Sequence, residues 1–237
     1  MWVSRYVCLF FLYSVLGWIY ESTFCTVTTK KWENRGFLFG PVCPIYGCGA
    51  VSISLIASAI PADAADPVAL VVFRIFLIAW LGSMVLEYAT SWTLEKLFHA
   101  VWWDYSNLPF NLHGRISLFT SLGFGVAGPL VVCFIAPPFE HLADMIPPLL
   151  MELLSLFAVA LAAADAALTV AALTDFEHRV AQAESSFNDR MDMLVEDVQN
   201  SMNRAHQVAL RRVKNFRYPK LSGVRLAQIR EAIAKHI

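Results

Sequence analysis

The feature that most constrains this chain is that its apolar residues come in uninterrupted blocks and not in periodic stripes. Five blocks, at approximately 6–24, 42–60, 68–92, 116–136 and 148–173, are long enough to cross about 30 Å of hydrocarbon, which takes about 20 helical residues. A helix lying on a soluble core would carry a polar face; these blocks have none. With 57% hydrophobic and 16% charged residues and a mean hydropathy of +0.54, the 237 residues are too apolar for an ordinary soluble domain. The pattern predicts an all-α integral membrane protein: five transmembrane helices within residues 1–173, then a cytoplasmic helical tail over 174–237.

Arg5 precedes the first block in the manner of a signal peptide, but no small-residue cleavage pattern follows. Trp18, Tyr20 and Glu21 at its far end suit an interface anchor, so a retained helix is expected. Orientation follows from the cations between blocks. The 25–41 connection carries Lys30, Lys31 and Arg35, the 93–115 connection Lys96 and Arg115, and the tail eleven Lys and Arg, whereas 61–67 and 137–147 carry none. The expectation is a multi-pass plasma-membrane protein with its N-terminus outside and its C-terminus cytoplasmic.

On that topology blocks one and two run the same way as blocks three and four, which suggests a tandem parallel repeat over about 6–60 and 68–136. Leu16, Gly17 and Glu21 are matched by Leu81, Gly82 and Glu87; Trp32 and Glu33 by Trp103 and Asp104. Asn34, Arg35 and Gly36 are matched by Asn111, Gly114 and Arg115, and Gly47 and Gly49 by Gly123 and Gly125. The competing reading is that any two membrane hairpins share Trp and Gly at their ends.

Glu21 and Glu87 lie near the inner ends of their helices, where an ionised carboxylate toward the bilayer centre costs on the order of 3 kcal/mol unless paired. Arg35 and Arg115 are the expected partners, within a repeat or across its pseudo-twofold axis. With Asn34, Asn111 and Asp104 they are candidates for a cytoplasm-facing site that holds a polar solute or couples an ion. Against this stands a purely structural role, with interfacial charges snorkelling to water. Asn34, Asn107 and Asn111 can also cap a helix or satisfy loop backbone. Pro41 and Pro44 forbid a regular helix just before block two, so "GPVCPIYG", with Gly36, Gly40, Gly47 and Gly49 around it, reads as a bent approach. Membranes tolerate such backbone only where protein or a water-filled cavity shields it.

Other motifs carry less. "GFGVAG" at 123–128 fits the dinucleotide fingerprint but lies inside an apolar span before Pro129, where close packing and a kink are the better account. The five cysteines and six histidines show neither disulfide nor metal-ligand spacing, so no metal and no cofactor is expected. No Gly-Lys pair occurs, so there is no phosphate-binding loop; if ATP drives the protein, another chain supplies it. Asp104, Ser106 and His113 are the residue types of a triad, but triads are defined by geometry, and the chain is not expected to be an enzyme.

Block five is Ala-rich and holds Glu152 and, deeper, Asp165; small residues favour close helix packing, with Asp165 turned inward. Asp165 either completes the polar centre or bonds to a neighbouring helix. In the tail, apolar residues at 187, 191, 194, 198, 202, 205, 209, 213 and 216 follow helical spacing, and Pro219 and Gly223 end the run. Residues 174–203 have a formal charge of −5 and residues 204–237 of +8. Such an end suits anionic lipid, self-association through the tail, or a cytosolic ATPase subunit. No recognition module for nucleic acid accompanies it.

"GWIYES", "RGFLFGPVCPIYGCG" and "WWDYSNLPFNLHGRISL" resemble the signature segments of the putative ABC-transporter type IV (CmpB-like) family, bacterial integral membrane proteins labelled as permeases. The resemblance covers roughly 10–130; Phe124 departs from it, standing where the family has Trp. It implies a permease subunit of an ABC-type transporter moving a solute. The alternatives are a structural or scaffold membrane protein, and a membrane enzyme acting on lipid through Asp104, His113 and Ser106.

Overall fold

The computed structural model describes residues 2–59, 66–183 and 215–216, with side chains through residue 174. The apolar blocks form helices α1 (Trp2–Thr29), α2 (Pro44–Ala59), α3 (Val68–Phe98), α4 (Leu118–Leu130), α5 (Ala136–Met145) and α6 (Pro148–Ala183). A π-helical turn, Val131–Ile135, joins α4 to α5, so Leu118–Met145 runs as one 28-residue rod.

Among the described residues, four helices are long and apolar enough to cross a membrane: Trp2–Thr29, Val68–Phe98, Leu118–Met145 and Pro148–Thr174. The second block forms helix α2 over 16 described residues, about 24 Å at 1.5 Å per residue, and it starts two residues later than expected. Proline is the reason. Pro41 and Pro44 cannot donate to a preceding turn, so the chain stays irregular through Cys43 and the helix starts on Pro44 itself, where a missing N–H costs nothing.

The 137–147 connection expected between blocks four and five is mostly helix. Pro129, Pro137 and Pro138 interrupt the ladder without ending it, because a widened π turn keeps the chain helical between them; the Ala136 N–H reaches back to the Val131 carbonyl. Only Ile146 and Pro147 separate α5 from α6.

α1 packs on α2 and α3 on α4; α2 meets α3, and α6 lies along α1. Both hairpins close on a glycine. A Cβ on Gly47 would strike the Phe10 carbonyl and the Ser14 hydroxyl of α1, and one on Gly128 would strike the Ala79 side chain beside the Ile75 carbonyl of α3. Each glycine therefore lets backbones meet over two residues one turn apart. At one end of the bundle Leu9, Tyr13, Ala136, Ala143 and Met151 form a buried cluster, beside an Arg5–Asp144 ion pair of 3.0 Å. At the other end Ala100, Trp102 and Leu173 are buried with Phe37, Phe39 and Phe98 against them. Many large apolar side chains, such as Phe134, Phe157 and Leu161, point outward, as a lipid-facing surface requires.

The connection after α3 holds three short strands. β1 (Ala100–Val101) pairs antiparallel with Asn215–Phe216, and β2 (Asn111–Leu112) pairs with β3 (Ile116–Ser117). Residues 215–216, expected to end the amphipathic tail helix, are thus a strand: their main-chain groups add to an edge that Ala100–Val101 would otherwise leave open. The rest of that helix lies outside the described residues, and α6 itself continues past the expected boundary at 173 to Ala183.

Candidate functional site

Three carboxylates from three helices stand at similar depths along their own helices. Glu21, Glu87 and Asp165 stand about 29, 29 and 26 Å along α1, α3 and α6 from those helices' starts, at 1.5 Å per residue, near the end where the 30–43 and 99–117 connections lie.

Glu21 accepts a 2.7 Å hydrogen bond from the Tyr46 hydroxyl of α2, and the Cys25 thiol stands 3.8 Å from its other oxygen. Glu87 is 5% exposed; one oxygen has a long 3.5 Å contact with the Tyr105 hydroxyl, and Oε2 is buried with no hydrogen-bond partner. The two hairpins meet here electrostatically. Burial first, and then the charges of Glu87 and Glu21, hold the Tyr105 phenol well above its ordinary pKa, with Arg35 acting in the opposite sense. Tyr46 and Tyr105 were not among the candidates read from the sequence. Their signal was a hydroxyl within each of the two conspicuous segments, "PIYG" and "WDYSN".

The arginines do not pair with Glu21 and Glu87 as expected. Arg115 bonds to Glu95 at 2.6 Å and lies over the Tyr88 ring at 5.4 Å. The physical reason is height, since Glu95 sits about 12 Å beyond Glu87 along α3, level with the β2–β3 turn that carries Arg115. Arg35 donates through Nε to the Cys25 sulfur at 3.1 Å, and its main-chain N–H donates to Ser22 Oγ. Burial works against its charge, but its interactions with Cys25 and Glu21 more than offset that and raise its pKa.

The remaining polar candidates shape backbone. Asn34 accepts from the Trp18 indole at 2.7 Å and donates to the Phe39 carbonyl. Asn111 donates to the Ser106 and Leu108 carbonyls and accepts from the Gly114 N–H. Asp104 accepts the Ser106 main-chain N–H at 2.9 Å, and His113 meets the Tyr88 hydroxyl at 3.2 Å. Asp104 thus meets the main chain of Ser106, and His113 meets Tyr88.

Asp165 resolves the irregular segment before α2. Its carboxylate accepts the N–H groups of Phe39 at 2.9 Å and Gly40 at 2.8 Å, and Thr169 donates to it from one turn along α6. Two amides that no helix can use are satisfied by a neighbouring one, which bare lipid could not do. Gly40 lies against this carboxylate, and Gly36, at φ 112°, backs onto the buried Cys43 sulfur. Pro41 follows within the bend, and a Cβ on Gly49 would meet Leu86 at an ordinary 3.8 Å.

A family model described as Putative ABC-transporter type IV matches residues 8–170, the stretch that holds every residue of this layer. Curated proteins give no match, and neither do solved structures.

Proposed function

The chain belongs to the Putative ABC-transporter type IV family, and from that premise we propose that it is a membrane-spanning permease subunit whose solute passes the Glu21–Glu87–Asp165 layer. The observation that carries this reading is the convergence of carboxylates from α1, α3 and α6 beside the non-helical backbone of residues 36–43. Charge and broken helix at membrane depth are costly, and membrane proteins keep them where a polar path or binding site is made. The energy source in this reading is a separate cytosolic ATPase chain. The 30–43 connection with Lys30, Lys31 and Arg35, the 99–117 connection with Arg115, and the tail face it in the cytoplasm, and the N-terminus lies outside.

A tandem repeat of two hairpins belongs to the same proposal. Support comes from the glycine seats: Gly47 on Phe10 and Ser14, and Gly128 on Ile75 and Ala79, have the same one-turn geometry. This registers Gly47 with Gly128 in place of Gly123, which has nothing within 4 Å of its notional Cβ.

A scaffold role is favoured by one specific observation: Asp165, Asn34, Asn111 and Arg115 spend their hydrogen bonds on this chain's own groups. The two readings separate on purification in mild detergent from the native host, followed by mass spectrometry. A stoichiometric nucleotide-hydrolysing chain is the expected companion of a permease. Its repeated absence, with self-association alone, would sink the permease reading in favour of the scaffold.

A further inference from the structure

At this end of the bundle the described carboxylates differ in what they bind. Asp165 has two main-chain amides and a threonine, Glu95 has a guanidinium, and Glu21 has a phenol. Glu87, the most deeply buried of them at 5% exposure, has an acceptor oxygen with no partner and a 3.5 Å contact at the other.

Among the described residues, the groups around it supply no positive charge at hydrogen-bond distance. Glu21 of α1 puts a second negative charge within electrostatic reach of it, and Tyr105 approaches it from the 99–117 connection as a neutral donor. Tyr46 of α2 is spent on Glu21, Arg35 is held at Cys25, Arg115 at Glu95, and Asp165 of α6 on the irregular loop. α4 carries no ionisable side chain in its sequence. An acceptor oxygen enclosed between two hairpins, with a second carboxylate nearby, is left without the counter-charge that burial demands.

We propose that Glu87 and Glu21 hold one exchangeable monovalent cation, a proton or an alkali ion, between the α1–α2 and α3–α4 hairpins. A proton would occupy the orphan oxygen as a carboxylic acid; an alkali ion would sit between the carboxylates with the two phenol oxygens as further ligands. Loading and release of this cation would then accompany solute movement. That last step rests on the permease reading, and the cation site itself does not.

The test uses the full chain in lipid nanodiscs and needs no solute. Infrared difference spectra recorded across a pH titration report a buried carboxylic acid by its carbonyl band. Melting temperatures in sodium or potassium chloride against choline chloride at equal ionic strength report an alkali ion. One of the two signals is expected in the wild type, lost in Glu87→Gln and weakened or displaced in Glu21→Gln. A carbonyl band without ion-specific stabilisation identifies the proton, and the converse identifies the alkali ion. Neither signal in the wild type, or a signal unaltered in a folded Glu87→Gln, overturns the proposal. Should Glu87→Gln fail to assemble, Tyr105→Phe keeps both carboxylates and must still move the pH or ion concentration at which the signal changes; an unmoved midpoint overturns the site. A chain that binds the cation yet moves no solute sinks the permease reading and leaves the site standing.

Discussion

Residues 30–43 and 99–117 both carry an Asn, a Gly and an Arg at the same end of the bundle, yet their backbone is satisfied from different places. Beyond β1, which pairs with residues 215–216, the second connection is self-sufficient. β2 and β3 pair with each other, Asn111 closes its own turn, and Arg115 is fixed by Glu95 of the adjoining α3. The first cannot be, because Pro41 and Pro44 remove donors and the helix it should join; its amides at Phe39 and Gly40 depend on Asp165, about 125 residues away in sequence. The difference teaches that similar motifs need not yield similar mechanics. One connection behaves as part of its hairpin, and the other is tied to α6.

Breaking the borrowed contact should have the largest effect. Asp165→Ala removes the carboxylate that accepts two main-chain amides, costing about 1–3 kcal/mol or more, and should lower the melting temperature steeply while exposing Cys43 to maleimide. Cys43 is now 4% exposed, so labelling that stays slow in the variant would show that the loop holds without Asp165.

The glycine seats come next and test how alike the hairpins are. Gly47→Val and Gly128→Val should each cost about 1–3 kcal/mol by overpacking, read as loss of monodisperse protein or a lowered melting point, while Gly123→Ala should be nearly silent. If Gly128→Val is tolerated and Gly47→Val is not, the matching of the two seats fails.

Glu95→Gln tests the self-sufficient connection. Removing the charge from a 2.6 Å, partly buried pair should cost about 1.5–3 kcal/mol, and Cys43 labelling should stay at the wild-type rate; accelerated labelling would mean the two connections are coupled. The smallest effect is expected from Trp18→Phe, which removes one hydrogen bond to Asn34, worth about 0.5–1.5 kcal/mol. A larger fall in melting temperature would mark Trp18 as a packing anchor as well.

Much of this architecture is legible in the residues. Blocks of apolar side chains must become helices in lipid, since each backbone amide there needs a partner within its own segment. Pro41 and Pro44 announce where α2 cannot begin, and the resemblance carried by "GWIYES" and "GPVCPIYG" agrees with the matched family. The 137–147 segment misled because its prolines read as a connection, while a π turn keeps the rod continuous. The tail's helical spacing at Val213 and Phe216 misled in another way: two of its residues, Asn215 and Phe216, answer the open edge of Ala100–Val101. The expected Glu–Arg pairs failed because sequence order gives the charges but not their heights, and Arg115 meets Glu95 two turns beyond Glu87.

By itself, then, the sequence determined that this chain lives in a membrane as helices and that acidic groups stand near one end of them. Those conclusions follow from transfer free energy and local backbone chemistry, which act residue by residue. Only the tertiary structure decided that Asp165 serves the loop at Phe39 and Gly40, that Tyr46 and Tyr105 join the carboxylates, and that Glu87 keeps an oxygen without a partner. Those are matters of which helix faces which and at what height, and they are set by packing between segments far apart in the chain.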